Sequence, residues 1–299
     1  MTTVEGAKSV GVVSLGKART AARAVRRGCH LAAGTSGGKV GLLLLLPIAG
    51  VVLFGPNLAP HGITEVVGRP FSAVSADHLL GTDYLGRDVL SRFLNGGRTL
   101  ILASLVAPLI TVTIGGLVGI LAGSRGGRLD TVVIWLVDVL LSIPALIFAL
   151  LILAAFGANL WATFGALSVI LLPGCIRITR AATLDAASSE YVEAALARGE
   201  GGFAIAVREI LPNIRSVIAA DFGLRVGYAA LTYAGLSFLG FGEPPPLPDW
   251  GGMVSENRGG VMVQPLAVLV PSVAIAMFTV ATMEIADSIA RSLGRSGSN

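Results

Sequence analysis

The chain has 299 residues, of which 54% are apolar and 13% charged, and its mean hydropathy is +0.79. Soluble domains carry charge on roughly a quarter of their residues, so this composition excludes an ordinary soluble enzyme and indicates a polytopic membrane protein. The net charge of +4 does not signal nucleic-acid binding, because the basic residues sort by membrane side rather than into one patch.

Residues 1–38 form a Gly/Ala/Ser-rich basic tail with Lys8, Lys17, Arg19, Arg23, Arg26 and Arg27 against one acid, Glu5. Its low apolar content and lack of periodicity predict a disordered cytoplasmic segment. From Val40 an apolar run reaches Phe54 and predicts the first span, a retained signal anchor rather than a cleaved leader.

Residues 55–97 are polar and turn-rich, and they hold the stretch His78-Leu-Leu-Gly-Thr-Asp-Tyr-Leu-Gly-Arg-Asp-Val-Leu-Ser-Arg92. Asp83 with Arg87, and Asp88 with Arg92, stand four apart, so each pair is expected to meet on one helical face, with Asp83 as a candidate cap. If exposed, such pairs contribute only tenths of a kcal/mol, roughly.

A span needs about 20 mostly apolar residues. Further spans are expected near Thr99–Ala122, Thr131–Phe156, Leu160–Ile176, Ser216–Gly240 and Val261–Ile285, with Pro144 bending the third and Pro108 and Pro271 kinking others. Asp221 and Arg225 fall on one face of the fifth. They read as a mutually neutralised pair, or more sharply as part of a translocation path with Arg225 facing peptide carboxylates. Asp138, Glu284 and Asp287, near cytoplasmic span ends, are expected to meet water or partner subunits.

With the amino terminus inside, sixteen Lys or Arg fall on the inner side and five outside, with Arg225 within a span. The positive-inside rule therefore places both termini in the cytoplasm. The 39 glycines suit close helix packing in lipid. Cys29 and Cys175 imply neither a disulfide nor a metal site. His30, His61 and His78 are scattered, and no metal-ligand cluster is expected.

Between the fourth and fifth spans lies Glu190–Asn213, polar where its surroundings are greasy. Ser188 or Ser189 is a candidate cap, Glu190 suits the first turn, and Ala194, Ala195, Leu196 and Ala197 favour a helix that Gly199 stops. A second helical run, Phe203 to Ile210, is expected to end at Pro212. The last outer loop, Leu236 to Met253, reads L-S-F-L-G-F-G-E-P-P-P-L-P-D-W-G-G-M; its prolines stiffen it, and Trp250 suits an interfacial anchor.

Glu193-Ala194-Ala195, Gly199 and Leu211-Pro212 resemble the EAA signature of ABC-importer membrane subunits. The stretch from His78 to Arg92 and the loop at Leu236–Met253 are similar to the G-T-D-x-x-G-R-D-x-x-S-R and L-S-F-L-G-x-G…W-G-x-M patterns of the dipeptide and oligopeptide branch. Leu79 replaces a frequent proline, and Glu209 stands where that branch usually has histidine. The resemblance covers about residues 35 to 290 and implies an all-α, six-helix permease of the type I importer fold, C-type subunit, in a bacterial inner membrane. It divides the chain into the tail 1–38, the first span and outer segment 39–97, a five-helix core 98–290 holding the loop 186–213, and a tail 291–299.

It further implies that Glu190, Tyr191, Glu193, Ala194, Ala195, Arg198, Gly199, Leu211 and Pro212 dock an ATPase. Asp83, Arg87, Asp88 and Arg92 would form an outer lip that helps receive substrate from a binding protein, or equally a scaffold held by its own ion pairs. The implied partners are a second, homologous permease subunit, two ATPase subunits that bind ATP and Mg, and an extracytoplasmic substrate-binding protein. The chain itself has no G-x-x-x-x-G-K-[ST], so no cofactor is expected in it, and an ATP-driven system needs its ATPase as a separate chain. The same architecture carrying nickel, haem or another small solute stays open, as does an ion-driven secondary transporter.

Overall fold

The computed structural model describes residues 35–157 and 159–296. The basic tail up to residue 34, with Cys29 and His30, and residues 297–299 lie outside them. Helices account for the architecture, and among the described residues there is no strand, only isolated bridges pairing Val66 with Arg87 and Thr82 with Asp88.

Helix α1, Ser36–Leu58, starts where the Thr35 hydroxyl accepts the Gly38 N–H at 3.1 Å. After the outer segment come α2, Val89–Asn95, and α3, Arg98–Arg125. Gly126, at φ +61°, turns the chain into α4, Gly127–Leu141, and α5 follows at Ala145–Phe156. Asn159 then caps α6, Leu160–Ala187, through the Ala162 N–H. The 28 residues of α3 and of α6 make rods about 42 Å long, more than the hydrocarbon thickness of a bilayer. The remaining elements are α7, Glu190–Ala197; α8, Gly202–Ile205; α9, Leu211–Leu236; α10, Trp250–Asn257; and α11, Leu266–Ser296.

By length and apolarity, 36–58, 89–125, 160–187 and 266–291 qualify as spans, and the α4–α5 pair makes a fifth if counted as one. The expected fifth span, α9, has 26 residues but holds Arg215, Asp221 and Arg225, which dilute its apolar character. Pro144 does more than bend the third span: α4 and α5 meet at 91°. Proline disfavours helix in the residue before it and lacks the N–H that would continue the ladder, so Ser142–Pro144 breaks the rod outright. The last span starts at Leu266 rather than Val261, because 261–263 form a turn closed by Val263 N–H on the Gly260 carbonyl. Its helix runs on through Ser296, into the expected carboxyl tail.

Close backbone approach organises the bundle. On α3, Gly115, Gly119 and Gly123 recur every four residues and face Cys175, Thr179 and Thr183 of α6; a Cβ on Gly119 would lie 2.8 Å from the Thr179 Cβ. Helices α9 and α11 meet in the same manner, where a Cβ on Gly227 would lie 2.8 Å from the Met283 side chain. Small residues of this kind let helices pack where lipid removes the hydrophobic drive between them. The main core gathers Leu100, Phe164, Leu167, Tyr233, Trp250 and Phe278, while a second cluster lies under α7 and α8. The outward surface stays apolar: Leu43, Leu46 and Leu53 of α1 are each exposed by 65–70%.

Candidate functional site

Two polar regions stand out from this apolar rod bundle, one on each side of the span boundaries. The first is the elbow after α6. Helix α7 forms over Glu190–Ala197, with Glu190 and Glu193 in its first turn, where a helix N-terminus favours negative charge. Ser189 occupies the cap position but gives no side-chain cap; its hydroxyl and that of Ser188 turn back to the Asp185 carbonyl. Gly199, at φ +78°, makes the left-handed turn that other residues resist.

Glu190, Tyr191, Glu193, Ala194, Arg198 and Gly199 all lie on the exposed side of the elbow. Ala195 does not. It is fully buried beside Val192 and packs α7 onto Ile205, Ala206, Ile210 and Ile214, so it seats the helix within this chain. Arg198 already has a partner, Glu200, whose Oε1 accepts from Nε at 2.9 Å and from Nη2 at 2.7 Å. Leu211 and Pro212 are exposed, but Pro212 ends nothing. Helix α8 passes through a π turn, Ala206–Ile210, and enters α9 directly. Proline in the first turn of a helix sacrifices no intrahelical bond, which is why Pro212 fits there.

Composition alone gave no notice of Leu196 and Phe203. They are 59% and 81% exposed, and they add apolar surface beside Tyr191. Three apolar positions, Tyr191, Leu196 and Phe203, exposed on a charged loop are an unusual pattern, and that is the signal that could have found them.

The second region joins the outer segment to α10. Asp83, Arg87, Asp88 and Arg92 are all buried, so the expected exposed lip is an interior network. Asp83 does not cap a helix; its Oδ1 accepts the Leu85 and Arg87 N–H groups, each at 2.9 Å, and makes a tight turn. Its Oδ2 takes Arg87 Nε at 2.7 Å and lies 3.4 Å from Arg92 Nε. Arg92 does not pair with Asp88. Its Nη2 donates to Glu256 Oε2 at 2.8 Å, and Arg87 Nη2 reaches the same oxygen at 3.4 Å. Asp88 instead caps α2, accepting the Ser91 N–H at 2.8 Å and the Ser91 hydroxyl at 2.6 Å. Asp83 and Arg87 pair as their spacing suggests although residues 83–87 form a turn, whereas Asp88 is drawn into the cap of α2 and leaves Arg92 to Asp83 and Glu256.

Glu256, 169 residues beyond Arg87 in the chain, is the member that sequence spacing did not single out. Burial pushes its carboxyl above the usual carboxylate range, against the pull of Arg92 and Arg87. Asp249, which caps α10 through the Gly251 N–H, is also pushed up by burial, against hydrogen bonds from Ser237 and Tyr233. Trp250 is fully buried rather than interfacial. Its ring stacks on Phe93 at 5.3 Å, and its indole N–H donates to the Phe93 carbonyl at 2.9 Å. Gly97 makes room for it, since a Cβ there would lie 2.4 Å from the ring.

Within the bundle, Arg225 Nε donates to Asp221 Oδ2 at 2.6 Å, and Nη1 donates to the Leu171 carbonyl of α6 at 2.7 Å. Both residues are buried between helices of this chain, a mutually neutralised pair. Asp138 also finds a partner in the chain, Arg177 Nη2 at 2.5 Å. Contrary to the scattered placement expected of the histidines, His61 and His78 come together, with ring centroids 5.6 Å apart.

A helical bundle with an apolar exterior, a broken span and a polar elbow defines a membrane-embedded subunit. Residues 115–296 match the profile described as "Binding-protein-dependent transport system inner membrane component", and the chain belongs to that family of transport permeases. Over 251 residues it is 33% identical to the glutathione transport system permease protein GsiD of Pectobacterium atrosepticum, covering 83% of each chain. It is 31% identical to the dipeptide transport system permease protein DppC of Haemophilus influenzae, covering 85% of this chain and 88% of that one. With the di/tripeptide transport system permease protein DppC of Pseudomonas aeruginosa it shares 36% identity over 73% of this chain and 74% of that one.

Proposed function

We propose that this permease subunit serves an ATP-driven importer of di- or oligopeptides and that the elbow at Glu190–Gly199 is where an ATPase subunit grips it. The observation that carries the reading is the elbow's surface. Glu193 and Ala194 are exposed with Tyr191 and Leu196 on the short helix α7, whose buried residues are Val192 and Ala195, and Phe203 of α8 is exposed after the Gly199 turn. An apolar set rimmed by carboxylates, at the end of a membrane bundle, is suited to a partner's groove. The relatives named above carry glutathione, dipeptides and di/tripeptides by name, all short peptides, which supports the cargo class.

The complete machine would then hold a second, homologous permease subunit, two ATPase subunits binding ATP and Mg, and an extracytoplasmic binding protein. The chain would sit in a bacterial inner membrane with both termini in the cytoplasm. ATP-driven closure of the ATPase pair would carry α7 along and rock the spans between inward and outward access.

A pull-down from detergent-solubilised membranes tests this, comparing the parent with a Glu193→Lys, Gly199→Pro double variant. An ATPase is expected to co-purify with the parent and to be lost from a variant that keeps its helical circular-dichroism spectrum. If the parent brings down no ATPase under gentle conditions, the docking assignment fails and an ion-driven secondary transporter becomes the better reading.

A further inference from the structure

The outer segment contains a polar cluster that neither the elbow nor the arginine network uses. His61 follows the end of α1, His78 lies in the turn before the Asp83 motif, and Asp88 caps α2. One nitrogen from each imidazole and one carboxylate oxygen lie within 4.8 Å of one another. Asp88 is 1% exposed, yet its nearest ion-pair contact is His61 Nδ1 at 3.8 Å, because Arg87 and Arg92 are turned to Asp83 and Glu256. Asp88 Oδ1, His61 Nδ1 and His78 Nδ1 are each shut off from solvent without a hydrogen-bond partner. Unsatisfied buried polar atoms are costly singly, and three on the residues of one cluster call for a shared partner. That partner must be electron-poor: carboxylate oxygen and unprotonated imidazole nitrogen both offer lone pairs.

The backbone around the cluster is already fixed. The His61 N–H donates to Ser91 Oγ at 3.0 Å, and Ser91 Oγ donates to Asp88 Oδ2 at 2.6 Å. The His78 N–H donates to Ser75 Oγ at 3.1 Å, and its carbonyl accepts from Ser75 and Gly81. Asp88 therefore holds α2 with one oxygen and keeps the other free. The Ser91 hydroxyl on Asp88 Oδ2 gives the carboxylate the outer-shell support that metal sites use, and the backbone bonds fix where the two histidines stand.

We propose that His61, His78 and Asp88 form a Zn²⁺ site that clamps the end of α1 and the outer loop to the start of α2. Two imidazoles and one carboxylate, with no thiolate, suit zinc among the divalent metals, and three protein ligands leave a fourth position for water. Zinc bonds of about 2.0–2.2 Å require the ligand atoms to draw together by roughly an ångström, which rotation of the two half-buried imidazoles supplies. The site does not depend on what the permease carries.

The test uses the full chain in detergent, purified without a polyhistidine tag and stripped with chelator. About one equivalent of Zn²⁺ per chain is expected to remain bound after desalting. Co²⁺ in its place is expected to give the intense visible absorption of a low-coordinate site. His61→Gln and His78→Gln should each weaken binding at least about tenfold and abolish the rise in melting temperature that Zn²⁺ gives the parent. His30→Gln should change neither. Asp88 is left intact because it caps α2. Sub-stoichiometric zinc on the parent, or equal binding by a folded His61→Gln, His78→Gln double variant, overturns the site. The cobalt spectrum of the parent decides the matter even if a variant misfolds.

Discussion

Arg92 and Arg198 carry the same guanidinium into opposite surroundings. Arg92 is buried between Asp83 and Glu256, while Arg198 and Glu200 meet at the surface. Removing one partner of a buried pair strands the other without water, at about 3–5 kcal/mol; an exposed pair is worth under about 1 kcal/mol. Arg92→Ala is therefore expected to lower the thermal midpoint of the purified protein steeply, and Arg198→Ala hardly at all. Equal shifts would contradict the burial of the outer network. The acidic and basic residues of this motif were legible from the sequence, and so was the Asp83–Arg87 pair, but the partner of Arg92 was not. Asp88 is taken up by the cap of α2, which leaves Arg92 to Glu256, a residue of the distant helix α10. Trp250 eluded the sequence for a similar reason: its chemistry suits an interface or a core, and only Gly96 and Gly97 opposite it decide for the core.

Among the helices, α3 shows how a repeat of small residues becomes a packing surface. A Cβ on Gly119 would stand 3.0 Å from the Ile176 carbonyl as well as 2.8 Å from Thr179, whereas one on Gly116 would meet nothing within 4 Å. Gly119→Ala is expected to force α3 and α6 apart and destabilise by about 1–3 kcal/mol. Gly116→Ala is expected to be neutral or to gain up to about 1 kcal/mol from helix propensity. Thermal unfolding in detergent separates the two, and a similar loss from both would mean that the close approach of α3 to α6 is not the cause. Most spans could be placed from apolar run length, since the bilayer sets that length. The right-angle break at Pro144 could not be sized, because a proline licenses anything from a gentle kink to a full stop and the neighbouring helices select between them.

For the whole molecule, charge sorting assigns sides to the two polar regions, and that assignment can be read directly. With Cys29 and Cys175 replaced by serine, Asp77→Cys is expected to react with a membrane-impermeant maleimide on intact cells. Glu200→Cys should react only after the inner membrane is opened. The reverse labelling would invert the topology and remove the elbow from the cytoplasm. The class of protein was legible from three separated motifs and composition together. The metal-ligand cluster was not, because His61 and His78 are neighbours only after the outer segment folds back on itself.

The unbroken passage from α8 through the π turn into α9 has a mechanical consequence. From Gly202 to Leu236 the backbone stays helical, and the first non-helical backbone beyond it is Gly240, at φ +94°. Thirty-five residues of helix span about 50 Å, so the elbow and the far end of α9 belong to one shaft. Torque applied near Phe203 passes through the π turn along one continuous helix to Tyr233, whose hydroxyl is tied to Asp249 at 2.8 Å. Asp249 anchors the helix that carries Glu256, so the crank at one membrane face and the latch at the other turn on a common axle.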